Sequence, residues 1–270
     1  MKKLAIFAAI LFVATSALNA GDIRVRHWDD GANDGISTDM TWSDGADISD
    51  NFSAAWGWNL SWDDQGNGAG TSAALNHAYT GWNNSWGTWH TGIMPCGMIG
   101  NSMACDDMAY NMGMNGTFNG HHISLGNVGG WALNIWDDRA GNTGMSTDLS
   151  DMVGWGMTLG TVDNGNGDSM WISASMDLGG AASLDIEWMD DNGLDGTNMT
   201  LGYGINDDLG LSIQMGDVSA AGGHSFGGGF GGTNANEVTR FTLSWGGNWS
   251  FSNVDHDGAE WMSVDYSASF

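Results

Sequence analysis

Apolar and polar residues alternate with a period of two over much of this chain, and that pattern limits the fold more than any other feature. In 52–62, Phe52, Ala54, Trp56, Trp58, Leu60 and Trp62 alternate with mostly small or polar residues. In 170–178, Met170, Ile172, Ala174, Met176 and Leu178 face one way, and Trp171, Ser173, Ser175 and Asp177 face the other. In 182–188, Ala182, Leu184, Ile186 and Trp188 oppose Ser183, Asp185 and Glu187, and segments 199–205, 209–215 and 239–245 repeat the design. Successive side chains of a strand point to opposite faces, so each segment reads as a two-faced strand. No segment carries a convincing helical period. The abundant Gly (44 residues), Asn, Asp, Ser, Trp and Met favour turns and strands over helix.

The pattern predicts an all-β chain of sixteen strands, at 22–28, 36–43, 51–62, 72–82, 85–93, 109–118, 121–126, 144–149, 152–162, 169–178, 181–189, 197–205, 208–216, 237–245, 249–254 and 260–270. Links after even-numbered strands are mostly tight: Asn83-Asn84, Asn119-Gly120, Gly179-Gly180, Asn206-Asp207 and Gly246-Gly247-Asn248. Links after odd-numbered strands are mostly longer and polar. They hold Asp29-Asp30, Asp63-Asp64, the cysteine segment, Asp137-Asp138, Asp163, Asp190-Asp191, the Gly-rich 217–236 and Asp255/Asp257. Short turns at one end and long loops at the other describe a transmembrane antiparallel up-and-down β-barrel. The acidic link 44–50 breaks this parity, and one misplaced hairpin leaves fourteen strands.

Charge and composition exclude other classes. A formal net charge of −26 leaves no basic footprint for nucleic acid. A hydrophobic content of 41% argues against disorder, and a single Pro argues against collagen. At the N-terminus, Lys2 and Lys3 precede the short apolar run Leu4–Ala14 and the small-residue end Leu18-Asn19-Ala20. Residues 1–20 therefore read as a secretory signal peptide cut before Gly21, with cleavage after Ala17 or a retained helical anchor as alternatives. Residues 21–270 then keep four basic residues, Arg24, Arg26, Arg139 and Arg240, against 32 acidic ones, a net charge of −28. They hold no apolar run of about 18 residues, so no spanning helix is expected. Cys96 and Cys105, in an oxidising compartment, are expected to close a small disulfide loop.

Alternation alone does not separate a membrane barrel from a soluble sandwich. Trp28, Trp62, Trp82, Trp86, Trp188, Trp245 and Trp249 lie near strand ends, as in the aromatic girdles of membrane barrels, although soluble cores also hold Trp. In the last strand, Met262, Val264, Tyr266, Ala268 and Phe270 alternate with Ser263, Asp265, Ser267 and Ser269. This ending resembles the C-terminal signal by which Gram-negative outer-membrane barrels are recognised for insertion, carried here by Tyr266 and Phe270. The run Phe118-Asn119-Gly120-His121-His122-Ile123-Ser124-Leu125-Gly126-Asn127 is similar to the strand pair before the inward-folded loop of general bacterial porins. Asp177-Leu178-Gly179-Gly180-Ala181 and Gly204-Ile205-Asn206-Asp207-Asp208-Leu209 are also porin-like. The chain thus resembles the Gram-negative general porin family, in its alphaproteobacterial branch, over about 118–270.

The resemblance implies export through the inner membrane and insertion in the outer membrane by the barrel-assembly machinery. It also implies contact with lipid and lipopolysaccharide, a homotrimer, and a water-filled channel for small hydrophilic solutes. The loop matching the inward-folded porin loop is 127–143, with Asp137, Asp138 and Arg139. Phase places Arg24, Arg26 and Arg240 in the lumen, because a charge facing lipid at mid-membrane costs roughly 2–4 kcal/mol. Two arrangements remain open: an eyelet with these arginines opposite Asp137 and Asp138, or pairing with neighbouring acids such as Asp22 or Asp265. The lumen-phase acids Asp39, Asp177, Asp185, Glu187 and Asp265 predict cation selectivity.

Two constellations suggest metals. Acidic, Gly-containing loops, with Asp190, Asn192 and Asp195 as an example, could wrap Ca²⁺ or be simply solvated. Met94, Met98, Met103, Met108, Met112 and Met114 surround the cysteines, with His90, His121 and His122 nearby, a soft set suited to copper. No resident cofactor is expected. No His-Glu-x-x-His motif occurs, and the chain reads as a non-enzyme. A metal-binding barrel and a structural or adhesive surface barrel stand as alternatives to the diffusion channel.

Overall fold

The computed structural model describes residues 21–32, 34–63, 70–100, 117–128, 131–163, 167–191, 194–218, 237–256 and 259–269. The alternating segments become sixteen strands. The first eight are β1 (Gly21–Asp29), β2 (Asp34–Ser49), β3 (Phe52–Asp63), β4 (Gly70–Asn84), β5 (Gly87–Pro95), β6 (Thr117–Val128), β7 (Trp131–Asp138) and β8 (Thr143–Asp148). The rest are β9 (Gly156–Asp163), β10 (Asp168–Gly179), β11 (Ala182–Asp191), β12 (Leu194–Asn206), β13 (Leu209–Val218), β14 (Glu237–Trp245), β15 (Trp249–His256) and β16 (Ala259–Ser269). A single helical turn, α1 (Ser150–Val153), lies between β8 and β9. Among the described residues, no helix is long and apolar enough to cross a membrane.

Each strand pairs antiparallel with the next, and β16 closes on β1, so the sheet is a closed up-and-down barrel without edges. Register carries one phase around the whole circumference. Asp185 stands opposite Thr200, Thr200 opposite Gln214, and Gln214 opposite Arg240. The apolar phase lies outside: Met170, Leu201, Tyr203 and Met215 are 52%, 42%, 54% and 44% exposed. A soluble sandwich would bury that phase; a membrane barrel presents it to lipid. Outward aromatics form two rows near the tight turns. Phe52, Trp82 and Trp89 are register neighbours on β3, β4 and β5. On β14, β15 and β16, the Trp245 and Trp249 rings stack at 5.7 Å, and Tyr266 lies 4.9 Å from Trp249.

The tight turns follow local chemistry. Gly179 and Gly180 take φ of 92° and 71°, left-handed values that a two-residue hairpin needs and that cost Gly little. At 206–208 the Asn206 side chain accepts the Asp208 N–H at 2.9 Å.

The structure departs from the sequence expectation in three places. Asn119-Gly120, expected as a turn between strands 109–118 and 121–126, lies inside β6. Gly is needed there for close approach: a Cβ would sit 1.9 Å from the Asp137 carbonyl oxygen and 2.7 Å from the Asp138 Cα. The stretch 127–143, expected to fold inward as a loop, instead supplies the wall strand β7 and the first residue of β8. The link 44–50 is not a link: β2 runs on to Ser49 and turns at Asp50 and Asn51, and the long connection on the tight-turn side is instead the one between β8 and β9, which holds α1. The total stays at sixteen because β6 runs through the turn expected at Asn119-Gly120 and β7 adds a wall strand. Residues 1–20, Cys105 with its proposed disulfide, Met103, Met108, Met112, Met114, Asn192 and Phe270 lie outside the described residues.

Candidate functional site: the barrel lumen

The inner phase changes character along the barrel axis. Toward the longer links it is apolar. Met94, Phe118, Trp136, Val162, Trp171, Met189, Val238, Val254 and Trp261 are all 6% exposed or less and form one packed cluster. Each is in the inward phase of its strand, as shown by pairs such as Met94 with Phe118 and Trp171 with Met189. Ile99, 1% exposed, joins them from the segment that follows β5. That segment turns through a 3-10 turn at Cys96–Met98 and leaves the wall. Gly100 then reaches β9 and β10: a Cβ there would lie 3.8 Å from the Trp171 ring and 3.9 Å from the Thr158 methyl. The inward-folded segment is therefore the one after β5, not 127–143.

Large rings fit inside because glycines lie beneath them. The Trp136 ring covers Gly144, Trp171 covers Gly160, His77 covers Gly57 and His90 covers Gly81. A Cβ at Gly144 or Gly160 would sit 2.5 Å from the indole. Such rings shield the bare backbone of the neighbouring strand. Trp136 and Trp171 also approach each other, with ring centres 6.5 Å apart.

Toward the tight turns the lumen is polar. Asn198 donates to Glu187 at 3.2 Å, and Gln214 donates to Asn198 at 3.0 Å. Thr242 and Ser252 hydroxyls meet at 3.1 Å. A recess of about 280 Å³ is lined by Thr158, Ser173, Ser175, Asp185, Glu187 and Asn198, among others.

All three predicted lumen arginines are inward, on β1 and β14. Their partners come from adjacent strands. Arg24 pairs with Asp39 at 2.6 Å, and Arg26 pairs with Asp265, which also accepts the Ser263 hydroxyl at 2.9 Å. Asp265 is one of the acids named for the neighbouring-pair arrangement; Asp39 is not, and Asp22 accepts the Ser269 hydroxyl instead. Arg26 and Asp265 are the charged groups acting on Arg240, whose Nε makes no hydrogen bond.

The other predicted eyelet residues do not face these arginines. Asp137 is in the outward phase, opposite His121. Asp138 is inward, but its carboxylate closes the next turn, accepting from the Ala140 and Asn142 N–H groups at 2.8 and 2.9 Å and from the Asn142 side chain at 2.6 Å. Arg139 is exposed in that turn and donates its backbone N–H to the Asn119 carbonyl. Asp177 is exposed and accepts the Gly179 N–H at 2.7 Å. Asp190 and Asp195 stand opposite each other in the β11–β12 hairpin. Among the described residues, no group of three or more His, Cys, Asp or Glu is arranged to hold a metal ion.

The apolar half of the lumen was the feature that sequence reading missed. Its signal is an apolar residue in the otherwise polar phase, always near the end of a strand that meets a longer link. Val254 follows Ser250 and Ser252, Met189 follows Asp185 and Glu187, and Trp261 precedes Ser263 and Asp265.

Solved structures of the same architecture are bacterial porins. A substituted form of the porin of Rhodopseudomonas blastica aligns with a TM-score of 0.58 at 14% identity, over 93% of this chain and 98% of that one. OmpF of Salmonella typhi, solved in complex with daunomycin, aligns with a TM-score of 0.59 at 14% identity, over 93% of this chain and 96% of that one. No protein-family profile and no curated protein sequence matches the chain. At this identity the likeness is one of fold, and the chain has the sixteen-strand general porin fold.

Proposed function

We propose that this protein is an outer-membrane channel of a Gram-negative bacterium, passing small hydrophilic solutes by diffusion and preferring cations. The observation that carries this reading is the division of a closed barrel into an apolar outer phase and an inner phase holding a polar, charged belt. Hydrocarbon accepts the first, and water and ions accept the second. In this reading residues 1–20 direct export, the ending at Tyr266 and Phe270 addresses the assembly machinery, and homotrimers sit among lipid and lipopolysaccharide.

Cation preference rests on the charge balance of the wall. Asp39 and Asp265 neutralise Arg24 and Arg26. Arg240 is the remaining inward base of the described strands, while Asp22, Asp47, Asp148, Asp177, Asp185 and Glu187 add negative charge to the same phase. A low-dielectric tube lined this way concentrates cations. In this reading the apolar cluster around Ile99, rather than an eyelet of opposed charges, is the constriction, and such constrictions gate by dewetting.

Reconstitution of the purified barrel in planar bilayers tests the reading. Stepwise conductance with a reversal potential toward the cation Nernst value is expected in a KCl gradient. Anion preference would refute the selectivity. A folded, inserted barrel that never conducts would refute the channel and leave a structural surface role.

A further inference from the structure

We infer that His90 and His122 form a transition-metal site on the inner wall, taking a borderline divalent ion such as Zn²⁺, Ni²⁺ or Cu²⁺. The two residues are direct register partners on β5 and β6, and both are in the inward phase. Their ring centres lie 5.7 Å apart at an interplanar angle of 34°. With a metal–nitrogen distance of about 2.0–2.1 Å, two imidazoles on one ion place their ring centres roughly 5–6 Å apart.

Each ring also keeps a nitrogen for a ligand. His122 is 5% exposed, and its ring meets the Met98 backbone as a hydrogen-bond partner, which leaves its other ring nitrogen for a ligand. His90 Nδ1 is without a partner. Buried polar atoms are nearly always satisfied, so two neighbouring imidazoles with idle nitrogens mark a place where a ligand belongs. Imidazole is the ligand that Zn²⁺, Ni²⁺ and Cu²⁺ share, and its neutral form supplies the lone pair.

The surroundings hold the pair in place. Gly81 on β4 leaves room for the His90 ring, since a Cβ there would lie 3.0 Å from it. Tyr79 meets His90 edge-on at 5.5 Å, and His77 lies 5.8 Å beyond Tyr79. No third carboxylate, thiolate or imidazole of the described residues completes a cage, so water fills the remaining positions. The site is thus open and exchangeable, suited to a passing cation.

This inference goes beyond the channel reading, and its main test does not depend on conduction. The full folded barrel in detergent micelles is titrated with ZnCl2 by calorimetry, and folding of each variant is checked by heat-modifiable gel mobility. One Zn²⁺ per chain is expected, with binding lost in His90→Gln and in His122→Gln and kept in His121→Gln, whose ring is on the outer face. His90, which is only partly buried, guards against a folding failure at His122. Absence of stoichiometric binding, or binding that survives both inward substitutions, overturns the site. In bilayers, Zn²⁺ should reduce the current of the unsubstituted protein but not of His90→Gln; block that persists in that variant also counts against it. A barrel that binds zinc through this pair but does not conduct retains the site and loses the channel.

Discussion

Asp265 is the acid on which the arginine cluster depends. Its side chain is 8% exposed, it pairs with Arg26, and it is the acid that acts on Arg240. Removing one partner of a buried pair leaves the other charge uncompensated, at a cost of about 3–5 kcal/mol. Asp265→Ala should therefore lower stability in urea unfolding by that order. Asp39→Ala should change it by less than about 1 kcal/mol, because its partner Arg24 is 44% exposed. Equal effects would show that burial does not separate the two pairs. Glycines beneath rings make a second residue-scale prediction. Gly160→Ala puts a methyl 2.5 Å from the Trp171 indole and should cost about 1–3 kcal/mol by overpacking. Gly141→Ala, with nothing within 4 Å, meets no such clash; its penalty comes only from φ of 100°.

Strands carry the phase that assigns each residue to lipid or lumen. In β12, Leu201 points out between Leu184 and Ile213, and Thr200 points in between Asp185 and Gln214. Leu201→Arg should destabilise the inserted barrel by about 2–4 kcal/mol. Thr200→Arg gains Asp185 as a neighbour and should be nearly neutral; comparable losses in lipid-vesicle unfolding would contradict the assigned phase. Alternation alone makes this strand legible in the sequence, because each of its residues takes its face from the pleat. The same reasoning fails at β6, where Asn119-Gly120 has the composition of a hairpin turn. Local turn chemistry competes there with a backbone approach from β7 that only a glycine allows.

The whole barrel joins an apolar half-lumen to a polar one, and the segment after β5 closes the apolar half with Ile99. If that cluster limits flow, Ile99→Ala should raise single-channel conductance without changing ion preference, since no charge is altered. Unchanged conductance would move the constriction elsewhere. Lumen charge could be assigned from phase, which placed Arg24, Arg26, Arg240, Asp39, Asp185, Glu187 and Asp265 on the inner face. Which acids meet which arginines depended on interstrand register, and that set Asp39 and Asp265 beside them rather than Asp137 and Asp138.

By itself the sequence determined the all-β class, the even strand number, the inner and outer faces and the end that carries the longer links. These follow from period-two alternation and turn composition, which act over a few neighbouring residues. Tertiary structure alone decided that Asn119-Gly120 is strand, that 131–138 is wall, that the segment after β5 enters the lumen, and that His90 meets His122. Each of these is a contact between residues far apart along the chain, set by barrel closure and strand register, and no local pattern encodes it.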